Sequence, residues 1–188
     1  SLDMPHPIKT WATYNNGTEG FETVGLALRA VEPYMDFSVQ QPNLIAIFAG
    51  YDMSVGQGAG KGQILAHSPP GDIYTSDGTS LGRMVIQGEM TYDTYPAGIG
   101  VTCHELGHSV FFLPDLYFSN RPNGGYAANG LALYSLMSLG AWGHLYGGEN
   151  NWDDPYAGCW GHVPAHMDPW CKMQCGFVKT TQVNEWDG

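Results

Sequence analysis

A helix carrying two histidines four residues apart has little freedom in how it can be buried, and the stretch from Ile99 to Val110 reads as such a helix. His104 and His108 lie one turn apart on the same face, so both imidazoles can reach a single ion. Glu105 stands between them and can touch a water held at that ion without itself being a ligand. Ile99, Cys103, Leu106 and Val110 follow i, i+4, i+7, i+11 spacing, and the expectation is that they form the buried stripe. The histidines fall off that stripe, with Gly100, Gly107 and Phe111 near their face. Such a helix is expected to bury one side in a core and turn the other toward a site.

The chemistry this pattern suits is metal-assisted hydrolysis, which needs two nitrogen ligands, a general base and a place for a third ligand nearby. The competing explanation is a plain helix with two surface histidines, and the small residues beside them argue against it. Length and charge narrow the field further. At 188 residues the simplest organisation is one domain with a substantial core. No apolar run approaches the length of a membrane span. Ser1 to Thr10 is polar, contains Pro5 and Pro7 and does not resemble a signal peptide, so a mature or trimmed form is expected. Seven basic residues stand against 18 acidic ones, a net charge of -11, and such a surface repels phosphate backbones. Nucleic acid is therefore not an expected partner.

The four cysteines, Cys103, Cys159, Cys171 and Cys175, show neither zinc-ribbon nor thioredoxin-type spacing. Two disulfides in an oxidising compartment are expected, with free buried thiols as the alternative. A bridge at Cys103 could pin the histidine helix to the C-terminal third. Together with the loop-rich, aromatic composition, this points to a secreted protein.

Along the chain, Asn16 and Glu19 read as a capping box. Phe21, Val24, Leu28, Val31 and Met35 then mark the buried face of a first helix, which Pro33 bends or ends. Leu44 to Ala49 is a continuous apolar run closed by Gly50, the pattern of a central buried strand. Residues 52–82 read as loop. Gly56, Gly58, Gly60 and Gly62 lack the Lys-Ser/Thr pair of a phosphate-binding loop. Gly82 to Met90 alternates as a strand; at a sheet edge it could pair with an extended peptide. Residues 119–130 and 143–162, the latter with Glu149, Asp153 and Asp154, are oxygen-rich; structural calcium (Ca2+) and a plain solvated loop are the two readings. Val163 to Val178 regains helical character, with Met167, Trp170, Met173 and Phe177 expected to face the core.

Five pieces in order resemble the immune inhibitor A family of secreted zinc metallopeptidases, which are metzincin-like. They are Ile47-Phe48-Ala49-Gly50-Tyr51, Cys103 to His108, Leu113-Pro114-Asp115-Leu116-Tyr117, Tyr134 to Trp142, and Pro164 through Val178. The likeness covers roughly residues 20 to 180. It implies an α+β fold: a twisted mixed sheet with helices above a cleft, over an irregular C-terminal subdomain holding a Met-turn and a final helix. The upper part would run to about residue 112 and the lower from about 113 to 188. By the same resemblance His104, His108 and Asp115 hold Zn2+, Glu105 is the catalytic base, and Met137 lies beneath the metal. The family pattern sets its third ligand ten residues after the first histidine and turns the chain at a glycine. Here Asp115 lies eleven residues on, and Phe111-Phe112 occupies the turn. His144, His166 and Tyr117 thus stand as alternatives to Asp115, and Tyr117, Tyr134 and His144 as oxyanion partners.

The expected activity is a zinc-dependent endopeptidase acting on protein or peptide substrates, with a monomer as the expected state. An inactive homologue that binds proteins or glycans is the alternative. A serine hydrolase ranks last, because no Gly-x-Ser-x-Gly elbow is present.

Overall fold

The computed structural model describes residues 18–39, 43–52, 63–64, 66–68, 71–92, 95–117, 131–143 and 161–181. It is a mixed α+β arrangement. Helix α1 (Thr18–Val31) gives way to a 3-10 turn at Glu32–Tyr34, where Pro33 can no longer supply the amide hydrogen that an α-helix needs. Strands β1 (Leu44–Asp52), β2 (Gln63–Ile64), β3 (Met84–Tyr92) and β4 (Tyr95–Pro96) form one sheet in the order β2-β1-β3-β4. β1 runs parallel to β3 in the register Leu44↔Met84 to Phe48↔Gly88, and β4 is antiparallel to β3. Helix α2 (Ile99–Phe111), two 3-10 turns (Ala132–Tyr134 and Leu139–Trp142) and helix α3 (Pro169–Gln174) follow. Among the described residues, no helix is long and apolar enough to cross a membrane.

The sheet has a core on one face. Val24 and Leu28 of α1 pack with Phe37, Ile73, Leu81, Met84 and Ile86, and Val31, Leu44, Ala46 and Phe48 lie against them. The helical spacing of α1 thus meets the alternate residues of two strands. Met35, expected on the same stripe, lies past the helix end and is exposed. The Phe21 and Glu19 side chains, and Asn16 of the expected cap, lie outside the described residues.

The strand buried on both faces is β3, not β1. Met84 to Gly88 is buried without a break, whereas β1 alternates and leaves Ile45 and Ile47 exposed, the latter at 69%. The cause is the placement of α2. Ile45 pairs with Val85 and Ile47 with Gln87, so all four share a face, and α2 meets β3 there through Thr102 and Gln87. β3 is also internal: His67 bridges Ile86 on the side away from β1. Its backbone at that point is not free to receive a peptide.

A polar network docks α2 onto this face. The Gln87 side-chain amide donates to Asp52 Oδ2 at 3.2 Å and to the Gly98 carbonyl at 3.4 Å, and Thr102 Oγ1 donates to Gln87 Oε1. Gln87 and Asp52 are almost fully buried, and buried polar groups must be matched in this way. The final helix is shorter than expected. Only Pro169–Gln174 is α-helical, and its buried residue is Cys171, while Trp170, Met173 and Phe177 are exposed. Met167 packs partly against the small cluster of Leu113, Met137 and Cys171.

Candidate metal centre

The face of α2 turned inward is not the expected apolar stripe. Ile99 is exposed and Cys103, Leu106 and Val110 are only partly covered; the buried residues are Gly100, Val101, His104, Glu105, Gly107 and Ser109. The histidine side is the packed side, and glycine makes this possible. A Cβ at Gly100 would run into the Ala141 carbonyl oxygen, and one at Gly107 would overlap Met137 Sδ and lie 2.9 Å from its Cε. These two glycines, two turns apart, let the segment carrying Met137 and Ala141 lie directly on the helix backbone. Met137 is wholly buried there.

That segment in turn holds the first histidine. Met137 N and Asp168 Oδ2 both bond to Ser135 Oγ, the amide donating to the hydroxyl at 3.2 Å and the hydroxyl donating to the carboxylate at 2.6 Å. Asp168 Oδ1 also caps α3 by accepting from Cys171 N at 3.1 Å. Burial works against the Asp168 carboxylate, yet the Ser135 and Cys171 hydrogen bonds outweigh it and hold its pKa below the usual value. The Leu136 carbonyl, fixed by these bonds, accepts from His104 Nδ1 at 2.8 Å. The Leu113 carbonyl accepts from His108 Nδ1 at 2.6 Å.

A carbonyl oxygen can only accept, so each Nδ1 carries its proton and each neutral ring turns a bare Nε2 lone pair inward. The two Nε2 atoms are 3.1 Å apart. Asp115 Oδ1 is 2.9 Å from that of His104 and 3.2 Å from that of His108. Three acceptors facing one another need a shared cation or an added proton. The His108 pKa is raised: burial lowers it, but the bonds to Asp115 and Leu113 and the charge of Glu105 outweigh this. Asp115 is likewise raised by burial and brought well below the carboxylate range by the two histidines.

Glu105 comes within 4.8 Å of the same ring nitrogens, and His104, Glu105 and His108 form a group that could hold a metal ion. Asp115 is closer to both rings, at 2.9 Å and 3.2 Å from their Nε2 atoms. Glu105 is nearly buried. Loss of solvent raises its pKa, against the pull of His104, His108 and the Ser68 backbone amide. Tyr117 stacks on the His104 ring with centroids 5.9 Å apart, and Trp142 packs at the same distance. Tyr117 is therefore a ring neighbour of His104, while Asp115 faces both Nε2 atoms.

The His166 side chain is exposed and stands outside the cluster; its carbonyl accepts from Leu136 N at 3.1 Å. His144, Cys159, the Gly56–Gly62 loop, and Glu149, Asp153 and Asp154 of the calcium reading lie outside the described residues. Cys103, Cys171 and Cys175 are free thiols, contrary to the expected bridges. Burial, with Asp168 beside it, pushes the Cys171 thiol up to about 12, so it packs as a small apolar group.

Sequence pattern alone did not identify Gln87, Ser135 or Asp168. An Asp one residue before Pro169 is an N-cap signal that could have found the last of these. Comparison with protein-family models, with curated proteins and with solved structures gives no match. What the site can do is therefore decided by its own atoms.

Proposed function

We propose that this chain is a zinc-dependent endopeptidase. The observation that carries this is the convergence of three acceptor atoms, two histidine Nε2 and Asp115 Oδ1, at 2.9 to 3.2 Å beside a buried glutamate. Two imidazoles and a carboxylate suit zinc, and bonds of about 2.0–2.1 Å in a tetrahedron put neighbouring donors roughly 3.3 Å apart. Both Nδ1–H groups are anchored on backbone carbonyls, the outer support that keeps metal-bound histidines in one tautomer. Three protein ligands leave a fourth position open, as a catalytic rather than structural site requires.

Zinc, when bound, supplies Lewis acidity that acidifies a water and polarises a substrate carbonyl. Glu105 receives the proton of the attacking water on its carboxylate. Its burial raises its hold on that proton, which it then gives to the leaving amine. His104 and His108 would hold the ion as neutral rings through Nε2, and Asp115 would offset part of its charge. Tyr117 and Trp142 shield the His104 ring from water. Action outside the cell remains our proposal on composition and family likeness; the free thiols of Cys103, Cys171 and Cys175 lend it no support.

The test is cleavage of an unfolded protein by wild type and Glu105→Ala, with the zinc content of both. Cleavage by wild type only, with about one zinc retained in each, is the expected result. Turnover by the zinc-loaded variant would remove Glu105 as base. Zinc in both and cleavage in neither would put a metal-stabilised binding module in place of the enzyme.

A further inference from the structure

Helix α2 ends in an unusual way. Phe112 has φ 55° and ψ 28°, the left-handed region, and is one of two non-glycine residues with positive φ among those described. Residues with a Cβ are uncommon there, and bulky or β-branched ones most of all. The ring gains little from burial, since Phe112 is 68% exposed; the Arg83 guanidinium lies 4.9 Å from its centroid. The backbone gains a great deal. The amides of Phe112 and Leu113 both turn back to the Gly107 carbonyl, the second at 3.1 Å. Leu113 is buried against Met137.

The consequence falls on His108. The four residues 112–115 reach both nitrogens of one ring, with the Leu113 carbonyl 2.6 Å from Nδ1 and Asp115 Oδ1 3.2 Å from Nε2. If Phe112 took negative φ, the chain would leave along the helix axis and neither group would return. This is also how the structure accommodates the longer spacing between His104 and Asp115: the helix runs through Phe111 and the reversal is made one residue later.

We propose that Phe112 is the positioning residue of the metal centre: its left-handed backbone returns Leu113 and Asp115 to the two sides of His108 and so sets metal affinity. This rests on the assignment of His104, His108 and Asp115 as ligands. The role belongs to the backbone at this position, and the ring is incidental to it.

The experiment is zinc affinity by chelator competition, with the visible spectrum of the cobalt(II) form, for wild type, Asp115→Ala and Phe112 changed to Gly, Asn, Ala or Val. Affinity is expected to follow tolerance of positive φ, with Gly and Asn above Ala and Ala above Val. A spread of about tenfold or more between Gly and Val corresponds to the roughly 1–2 kcal/mol of left-handed strain. The cobalt bands of Val should shift toward those of Asp115→Ala. Rising affinity with side-chain size, or equal affinity in all four with only the melting temperature changed, would overturn the proposal. If Val does not fold, the Gly, Asn and Ala series decides the matter alone. Failure of wild type to bind zinc, or full affinity in Asp115→Ala, would instead overturn the ligand assignment.

Discussion

Behind the sheet, α1 is held by side chains: Val24 and Leu28 interleave with Phe37, Ile73, Leu81, Met84 and Ile86. At the metal centre, α2 is held by backbone. Among the described residues, the apolar cluster there is a small one of Leu113, Met137 and Cys171 with Leu116, Met167 and Cys175 against it, joined by glycine contact and buried hydrogen bonding through Ser135 and Asp168. Side-chain cores can relax around a change, whereas backbone crossings cannot. The same size of substitution should therefore have unlike effects in the two regions. Damage at the first should leave the metal centre intact, while damage at the second should reach it.

The largest effect is expected at Gly100. Gly100→Ala puts a methyl among the Ala141 and Gly161 backbone atoms, none of which can swing aside. Destabilisation should exceed about 3 kcal/mol, the upper part of the range for overpacking, with zinc affinity lost as the Met137 segment lifts. Chemical denaturation with and without zinc measures both; a variant with normal zinc binding would break the distinction between the regions. Next comes Leu28→Ala, which removes a buried side chain from the α1 core. It should cost about 2–3 kcal/mol and leave chelator-measured zinc affinity within error of wild type.

How much of this contrast could be read in the sequence depends on which interactions carry each region. Val24 and Leu28 were legible, because apolar burial at helical spacing is a local pattern. So were His104, Glu105 and His108 as a group, through their spacing on one helix, whereas Asp115 follows only from the family resemblance. The buried face of α2 was misread for a physical reason. Apolarity marks burial only where side chains do the packing, but Gly100, Gly107 and His104 are buried by close backbone approach and by a hydrogen bond. β1 and β3 exchanged roles similarly. The burial of Gln87 depends on Asp52 and Thr102, 35 and 15 residues away in sequence. No local pattern encodes such pairings.

Asp168→Ala sharpens the comparison at a smaller scale. It removes the α3 cap and the Ser135 partner together, with an expected loss of about 2 kcal/mol. Unlike Leu28→Ala, it should also weaken zinc binding several-fold, because Ser135 sets the turn that offers the Leu136 carbonyl to His104. Stability lost without any change in affinity would show that the Met137 segment holds its shape unaided.

The smallest effect is one of pH, and the two regions should again part. The described side chains of the α1 core cluster are all apolar, so its contribution is expected to be flat. At the metal centre, His108 has a raised pKa and Asp115 a lowered one. Without metal, the His108 contribution is full below its unfolded value of about 6.5 and is lost as pH rises through the higher folded value. That of Asp115 is present above about 3.9 and is lost as pH falls through its lower folded value. The His108–Asp115 pair is thus most stabilising between those two unfolded values. Zinc needs His108 unprotonated, so each pH unit below the folded His108 pKa should weaken apparent affinity by up to about tenfold. Metal-free stability from this pair falls with rising pH while the zinc increment grows. Melting temperatures in chelator and in zinc, followed from pH 5.5 upward, should diverge and then level off above the His108 pKa. A constant gap would mean that zinc displaces no proton here, and that the three acceptor atoms do not share the ion.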